Sequence, residues 1–313
     1  MEETRPTILY FTGISDLRYC PQRYYANQVL RIEPAVVSDA LTDGRTFHGA
    51  LEAASKKFEP EAQRCAAFGQ VRADQDAGRI QPINAARVRA MLSGYFAKWG
   101  RLTWTTWARE YRVEGPIPGV EGLTFAGVID RIVTVPGGFA IVDYKTTSKV
   151  DASYLEGLNR RLQGPLYAHY FESEQGQEVV EIVYDLVVKP SSNFAPKKIT
   201  SGPRKGDRET MAEFEDRLQK VYRERLDEMV LRPTMSITRE HRDRALVELI
   251  RAAEEVLWRL DTGNWGENRG GCEGTFYPCP YRQLCYSGFS PLVIQNYYRT
   301  REDNSLDNGE IKM

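Results

Sequence analysis

Apolar residues recur at intervals of three and four positions over much of the chain, the spacing that places them on one face of a helix. On this pattern, helices are predicted over residues 15–20, 43–58, 82–99, 151–172, 207–230 and 239–262. In the second stretch the inward apolar positions are Phe47, Leu51, Ala54 and Phe58. His48 then lies on the flank of the buried stripe. Pro165 should kink or split the fourth stretch, because proline lacks the N–H that a helix interior needs.

Runs of β-branched and aromatic residues predict strands between these helices. The strands are expected at residues 109–113, 123–135, 138–145 and 180–189, with a PGG turn at 136–138. Helices that flank a small central sheet predict an α/β or α+β fold. The whole chain is expected to be one domain. Its parts are N-terminal helices at 10–60, a sheet core at 105–190, a helical region at 206–265 and a cysteine-rich segment at 266–290.

The third predicted strand ends in FAIVDYKTT, where an apolar run gives way to Asp143 and Lys145. If the preceding turn is formed by residues 137–138, Asp130 pairs directly with Lys145, and Asp143 lies diagonally from Asp130. If the turn is formed by residues 136–137, the register changes, but the three charged side chains still share one face of the sheet. Both registers bring two carboxylates and one cation to the same end of the sheet.

Two chemical interpretations of this strand end are open. Charged residues at a strand end are commonly solvated and form a surface salt bridge. Alternatively, Asp130 and Asp143 hold a divalent cation, and oxygen ligands of this kind suit Mg²⁺ or Mn²⁺. Lys145 would then neutralise negative charge that develops on a phosphate. Glu110, at the start of the first strand, is expected to be a solvated strand end, with a supporting role beside these carboxylates as the alternative.

Further residues favour the metal-binding interpretation through a family resemblance. The residues that carry it are His48 in GRTFH, Asp130 in GVIDRI, Asp143 and Lys145 in IVDYKTT, and Gln163 and Tyr167 in QGPLY. In order and approximate spacing they resemble the PD-(D/E)XK nuclease superfamily, and specifically its RecB-like branch, which includes phage exonucleases and CRISPR-adaptation nucleases. The resemblance covers about residues 10–190.

The resemblance implies the α/β class, with a small mixed central sheet in a restriction-endonuclease-like core, and a Mg²⁺- or Mn²⁺-dependent deoxyribonuclease. It implies an exonuclease acting on single-stranded DNA or DNA ends, in recombination, repair or the processing of phage or mobile-element DNA. The implied metal ligands are His48, Asp130, Asp143 and the backbone carbonyl of Tyr144, and the other implied catalytic residues are Lys145, Gln163 and Tyr167. The alternative is a non-catalytic nucleic-acid-binding or assembly subunit with the same fold. No G-x-x-x-x-G-K-[ST] motif is present, so unwinding would need a helicase partner.

Four of the five cysteines form a separate pattern. Cys272, Cys279 and Cys285 lie close together among Gly and Pro residues, which is typical of a metal-binding loop, and Cys20 could supply a fourth ligand if the chain ends meet. Spacing alone allows either zinc or a [4Fe–4S] cluster. RecB-like nucleases often carry one cysteine before the core and three after it, ending in C-P-x-x-x-x-C, and this set holds an iron–sulfur cluster. The resemblance therefore implies a cluster here, with Cys65 as a bystander.

The composition of the chain excludes some modes of binding but does not identify a function. With 27% charged residues and a net charge of −1, the chain is not a polycation that binds nucleic acid through its overall charge. The loop at 190–205 has four Lys and Arg and no acid, so it either is solvated or contacts phosphates. Trp104 and Trp107 are expected in the core, with stacking on unpaired bases as the alternative. A cytoplasmic location is expected, because no membrane-span or signal-peptide pattern is present.

Overall fold

A seven-stranded mixed β-sheet lies at the centre of the fold, with helices packed on both faces. A computed structural model describes residues 5–100, 104–190, 195–272 and 278–301. The strands are β1 (Ile8–Tyr10), β2 (Ile32–Pro34), β3 (Thr106–Pro116), β4 (Thr124–Val135), β5 (Gly138–Thr147), β6 (Val179–Val188), β7 (Val230–Leu231), β8 (Thr234–Ser236) and β9 (Tyr298–Thr300). All except β2 and β9, which pair with each other, belong to the central sheet. The predicted α/β class is confirmed.

Thirteen α-helices surround the sheet in the described part of the chain, and a π-helical turn at Tyr25–Val29 follows the second of them. The helices are α1 (Phe11–Tyr19), α2 (Pro21–Tyr24), α3 (Asp39–Ser55), α4 (Pro60–Asp76), α5 (Pro82–Trp99), α6 (Ala152–Asn159), α7 (Gln163–Gln175), α8 (Met211–Glu224), α9 (Leu226–Met229), α10 (Arg239–Thr262), α11 (Arg269–Cys272), α12 (Arg282–Tyr286) and α13 (Pro291–Tyr297). No helix among the described residues is long and apolar enough to cross a membrane.

Strongly periodic stretches have the predicted bounds. Helices α5 and α10 match the predictions for 82–99 and 239–262. The stretch predicted at 151–172 is divided into α6 and α7, which confirms the expected break. Pro165 lies in the first turn of α7, where backbone N–H groups have no partner within the helix, so the proline is tolerated there.

Helix α3 differs from its prediction at both ends. It begins at Asp39 rather than Asp43, because the Ser38 side chain caps it by accepting a hydrogen bond from the Leu41 N–H. It ends at Ser55, so the expectation that Phe58 lies inward is wrong, and Phe58 is 90% exposed. Pro60 opens α4, and the residue before a proline disfavours helical backbone, so the chain must leave α3 before this point.

Other helix boundaries also differ from their predictions. Helix α1 begins at Phe11 instead of Ser15, and the region predicted at 207–230 forms α8 and α9, with Thr210 providing a capping box for α8. Helix α4 was not predicted, because few of its residues are apolar and only Gln63, Ala67 and Val71 are buried.

Strand β4 has a gap along one of its edges. One edge pairs with β3 along almost the whole strand, whereas the other pairs with β1 over residues 124–126 and with β5 over residues 131–135. Residues 127–130 have no strand neighbour on that second edge. The end of β5, from residue 143 onward, leaves β4 and pairs only with β6. The sheet is therefore open beside Asp130.

The turn between β4 and β5 sets the register of this opening. Val135 pairs with Gly138, so the turn residues are Pro136 and Gly137. Gly137 has φ of 91°, and a proline followed by a residue with positive φ is typical of a type II turn. The register with direct pairing of Asp130 and Lys145 is therefore wrong, and the alternative register with a turn at 136–137 is confirmed.

Each face of the sheet has its own core. One face packs against α1, α7 and α10, and the other against α3, α5 and α8. A third, smaller cluster joins the N-terminal and C-terminal parts of the chain around β2 and β9. There Tyr281 Oη donates to the Ile32 carbonyl at 3.0 Å, and Tyr298 Oη donates to the Pro280 carbonyl at 2.9 Å.

Close packing of α5 against α8 gives a test of the second core. A Cβ at Gly94 would lie 2.6 Å from Cδ1 of Tyr222, whose ring is buried and whose hydroxyl donates to the Val188 carbonyl. We expect Gly94→Ala to lower the free energy of unfolding by about 1–3 kcal/mol, because the buried ring has to shift. Urea denaturation measures this change.

The matched control is Gly69→Ala in α4, where a Cβ would meet nothing within 4 Å. This change should raise the free energy of unfolding by up to about 1 kcal/mol through helix propensity. If Gly94→Ala unfolded at the same urea midpoint as Gly69→Ala, this result would contradict the close approach of α5 and α8.

Candidate metal centre

Three elements bring charged side chains to the opening beside Asp130. Helix α3 supplies His48, β4 supplies Asp130, and β5 supplies residues 143–145. The helix comes close to β5 at Gly44, where a Cβ would lie 3.0 Å from Oγ1 of Thr146. Gly44 is one helical turn before His48, so the absence of a side chain there lets the imidazole reach the end of the sheet.

Three potential ligand atoms converge at this point. His48 Nε2 lies 2.8 Å from the carbonyl oxygen of Tyr144 and 3.1 Å from Oδ2 of Asp130. The Tyr144 N–H donates to the same Oδ2 at 2.9 Å. Octahedral Mg²⁺ with ligands at 2.0–2.1 Å places neighbouring ligands about 2.9 Å apart. The spacing of Nε2 from the two oxygens therefore suits a single small divalent ion.

The charge state of His48 reflects the same oxygen atoms. Burial alone would lower the pKa of the imidazole, but the Asp130 carboxylate and the Tyr144 carbonyl outweigh this effect and raise the pKa to about 9. A proton on His48 thus balances the negative charge at the site. A metal ligand must be a neutral imidazole, so cation binding at this position displaces that proton.

Asp143 has one satisfied and one unsatisfied oxygen. Its Oδ1 accepts a hydrogen bond from Lys145 Nζ at 2.9 Å, whereas its buried Oδ2 has no hydrogen-bond partner in the described structure. Burial raises the pKa of Asp143; Lys145 opposes the increase and Asp130 adds to it. A buried carboxylate oxygen without a donor is costly, and a cation would satisfy it. The residues present therefore fit a divalent metal.

Helix α7 places Gln163 against Lys145 and Tyr167 against Gln163. Lys145 Nζ donates to Oε1 of Gln163 at 3.1 Å, and Nε2 of Gln163 donates to the Tyr167 hydroxyl at 3.3 Å. The Tyr167 ring lies against Gly127, where a Cβ would be 2.2 Å from the ring, and burial raises the pKa of its hydroxyl. The pair holds the lysine in place, and Tyr167, 7% exposed, offers little surface to a nucleic-acid strand.

Glu110 belongs to the same group, although the sequence favoured a solvated strand end. Ligand atoms of Glu110, His48 and Asp130 all lie within 4.8 Å of one another. Protein atoms around the Glu110 carboxyl, together with the charges of Asp130 and Glu52, raise its pKa to about 7. Its side chain still reaches solvent. Glu110 is thus an exposed strand end, as expected, and its carboxyl also lies beside the site, so the alternative of a supporting role stays a prediction.

Strand register explains how Glu110 comes to lie beside Asp130. Arg109 pairs with Arg131, which places Glu110 opposite Asp130 across β3 and β4. Like charges directly opposite each other destabilise a sheet, and Glu110 also has φ of 42°, an uncommon conformation for a residue other than glycine. An acidic residue opposite Asp130 would point to a metal site, but the sequence shows this pairing only if the register of β3 against β4 is already known.

The cysteines meet where the two ends of the chain come together. Asn268 connects two of them, because its N–H donates to Sγ of Cys20 at 3.3 Å and its carbonyl accepts from Sγ of Cys272 at 3.8 Å. The Cys279 N–H donates to the Cys272 carbonyl at 2.9 Å. Cys285 follows on α12. Residues 273–277 of the predicted cysteine-rich segment lie outside the described residues.

Electrostatics also indicates that these four thiols are neighbours. Burial, followed by Cys279 and Cys20, raises the pKa of Cys285 to about 12. However, among the described residues no three cysteine sulfurs lie within 4.8 Å of one another, so the iron–sulfur prediction is not confirmed by this geometry. Cys65 is exposed on α4, and its thiol contacts Glu61 instead.

The predicted basic loop is partly neutralised. Arg204 forms an ion pair with Glu213 at 2.5 Å, and Lys198 is bridged to Arg208 through the backbone. Residues 191–194 of this loop lie outside the described part of the chain. The positive charge of Arg204 is therefore not available without breaking an ion pair.

The two tryptophans before β3 differ in their surroundings. Trp104 is half-buried and packs on the guanidinium of Arg232, 4.5 Å from its ring centroid, which confirms the expected packing role. Trp107 is 42% exposed and contacts the rings of Tyr111 and Phe171, so it lies at the edge of a core rather than within it.

Comparisons with known proteins were made for the whole chain. A sequence profile of the PD-(D/E)XK nuclease superfamily matches residues 11–286. A search of curated proteins found no significant match. Among solved structures, a crystal structure of a Eubacterium rectale protein described as "Putative exonuclease" is similar, with 14% identity, 86% of each chain covered and a TM-score of 0.49. Because the profile match spans most of the chain and includes every residue of the candidate centre, the chain belongs to the PD-(D/E)XK nuclease superfamily.

Proposed function

We propose that this protein is a deoxyribonuclease that hydrolyses phosphodiester bonds with Mg²⁺ or Mn²⁺ as its cofactor. One observation carries the proposal. His48 Nε2 lies 2.8 Å from the Tyr144 carbonyl and 3.1 Å from the Asp130 carboxylate, and on the neighbouring strand Asp143 has a buried oxygen without a hydrogen-bond partner among the described residues. A surface salt bridge would leave no such buried oxygen unsatisfied.

Each side chain of the centre has a distinct role in this proposal. The ligands are His48, Asp130, Asp143 and the Tyr144 carbonyl, with Glu110 as an additional carboxylate. When bound, the metal lowers the pKa of a water molecule and neutralises charge on the scissile phosphate. His48 must be neutral to bind it, and the clustered carboxylates lose their mutual repulsion when the cation is present.

Lys145 is the catalytic cation of the proposed mechanism. Asp143 and Gln163 hold its ammonium group from two sides at 2.9 and 3.1 Å, so it does not have to be ordered when the substrate arrives. It would either stabilise the negative charge that develops on the phosphate or orient the attacking water. Gln163 and Tyr167 are positioning residues for this lysine. Strand placement, the role that the resemblance implies for them, remains a prediction.

The finer function is proposed from the resemblance to RecB-like nucleases. The substrate would be single-stranded DNA or DNA with free ends, degraded exonucleolytically in recombination, repair or the processing of phage or mobile-element DNA. A helicase partner would supply unwinding. Cleavage of end-labelled single-stranded and double-stranded DNA tests the strand polarity, and it tests whether the enzyme cuts from an end or internally.

We also propose a [4Fe–4S] cluster at Cys20, Cys272, Cys279 and Cys285. Tetrahedral zinc with Zn–S bonds of about 2.3 Å would hold all four sulfurs about 3.8 Å apart, whereas no three cysteine sulfurs among the described residues lie within 4.8 Å of one another. Each thiolate of a cluster binds a different iron, so wider spacing is compatible with one. The cluster would join the two chain ends around the nuclease core and restrict the unfolded chain.

The first test is cleavage of labelled DNA with Mg²⁺ or Mn²⁺. We expect cleavage to stop with EDTA and to return when Mn²⁺ is added in excess. Lys145→Ala should reduce the rate about 10²–10³-fold, because a fixed cation at the phosphate is lost. The control is Lys149→Ala, which removes an exposed lysine paired with Asp151 and should leave the rate nearly unchanged. Equal rates for wild type and Lys145→Ala would exclude this site.

The second test addresses the role of Glu110 through metal binding. We expect Glu110→Gln to weaken Mn²⁺ binding about tenfold or more, since it removes a charged carboxylate from the centre. Electron paramagnetic resonance of free Mn²⁺ during a titration measures the affinity without DNA. Glu114→Gln on the same strand is the control, because its carboxylate pairs with Arg112 at 2.8 Å. Unchanged affinity in Glu110→Gln would leave Glu110 without a role in metal binding.

The third test concerns the cysteines. Protein purified without oxygen should be brown and contain iron and acid-labile sulfide, and Cys279→Ser should lose most of both. The same variant should unfold at lower denaturant concentration, because ligand bonds contribute to folding. Cys65→Ser should retain colour, iron and stability. Colourless protein with one equivalent of zinc would refute the cluster.

A further inference from the structure

A groove of about 1140 Å³ lies between the cysteine-rich segment and the start of α3. One wall contains Pro280 and Tyr281, and the other is formed by the segment before α3 and by the first turns of that helix. The groove contains none of the residues assigned to the metal centre. It is therefore a separate feature of the surface, for which the proposed catalytic residues give no explanation.

The charge of the groove differs from that of the whole molecule. Its lining includes the four arginines Arg23, Arg45, Arg299 and Arg301, but only one acidic residue, Glu33. The complete chain has a net charge of −1, so this excess of positive charge is local. A concave surface with one sign of charge attracts a ligand of the opposite sign.

Among the described residues, two of the four arginines form no ion pair with a carboxylate. Arg45 is exposed and forms no hydrogen bond or ion pair within the described ranges, and Arg301 donates to the neutral amide oxygen of Asn27 at 3.4 Å. Arg299 pairs with Glu33 at 2.7 Å, but its side chain is 57% exposed. Arg45 and Arg301 are thus open to an anionic ligand, whereas Arg299, like Arg204, would first have to leave its ion pair.

The groove also has apolar positions between its cations. Val36 is 86% exposed, and Leu41 is 48% exposed in the first turn of α3. Both line the groove together with Pro34. A surface that combines separated cations with apolar side chains suits a chain of phosphates whose bases are unpaired. A duplex would present its phosphates but keep its bases away from these side chains.

Helix α3 connects the groove to the metal centre. Leu41, Arg45 and His48 are spaced four and three residues apart, so they lie along one face of the helix. At 1.5 Å per residue, Arg45 is about 4.5 Å from His48 along the helix axis. The backbones of Arg45 and His48 are therefore less than one helical turn apart, on the helix face that leads from the groove to the metal centre.

We propose that this groove binds single-stranded DNA and directs it along α3 to the metal centre. The arginines contact consecutive phosphates, and the apolar side chains contact unpaired bases. That the DNA runs from the groove toward the metal centre rests on the proposed nuclease function. Binding of DNA in the groove does not require cleavage. It explains how a chain with almost no net charge can hold a polyanion beside a cluster of carboxylates.

The test measures binding in a background that does not cleave. Lys145→Ala protein is titrated into a fluorescent single-stranded oligonucleotide in EDTA at several salt concentrations, and anisotropy gives the affinity. Adding Arg45→Ala should weaken binding about fivefold or more and reduce the slope of log K against log salt by about 0.7, the value for one contact with single-stranded DNA. Arg45→Lys should retain most of the slope. Leu41→Ala should weaken binding without changing the slope.

Arg72→Ala is the matched control, because this arginine is 83% exposed on α4, outside the groove lining. It should bind as the parent does. Unchanged affinity in both Arg45→Ala and Arg301→Ala, or tighter binding of a duplex or of RNA than of single-stranded DNA, would overturn the groove assignment. The outcome is independent of catalysis. Loss of binding in the groove variants together with an inactive wild-type enzyme would support the groove and refute the nuclease proposal.

Discussion

The hydrogen bond from the Tyr144 N–H to Asp130 Oδ2 is the contact on which the candidate centre depends. Strand β5 pairs with β6 along almost its whole length but leaves β4 after Val142, and a side chain rather than a strand then accepts the hydrogen bond of the Tyr144 N–H on this edge. The same carboxylate oxygen faces His48. The separation of β5 from β4 therefore fixes the positions of the Asp130 carboxylate, the Tyr144 carbonyl and the His48 imidazole relative to one another.

This arrangement accumulates negative charge that the protein balances only partly. Asp130, Asp143 and Glu110 approach one another at the end of the sheet, and each acid affects the pKa of another. Lys145 and the protonated His48 supply the opposing charge. A sheet built only for stability would place apolar or oppositely charged pairs at these positions. The unsatisfied oxygen of Asp143 and the positive φ of Glu110 are local costs of the kind found at functional sites.

Sequence patterns predicted those parts of the structure that local chemistry determines. Helices α5 and α10 follow their apolar periodicity, and the Pro136–Gly137 turn allowed only a few registers for β4 and β5. The end of α3 could not be read in this way, because Phe58 continues the apolar spacing after the helix has ended. The position of Glu110 depends on pairing with a strand that follows it in the chain, and periodicity carries no information about such pairing.

The two chain ends have a role beyond closing the fold. Tyr281 bonds the Ile32 carbonyl and the Arg301 N–H bonds the Arg31 carbonyl, so the cysteine-rich segment and the C-terminal strand are attached to the segment that precedes α3. Pro280 and Tyr281 also form a wall of the arginine-lined groove. Restraining the cysteines therefore restrains the groove and the start of α3, which carries His48. Helix α3 therefore connects the segment that holds the cysteines with the residues of the candidate metal centre.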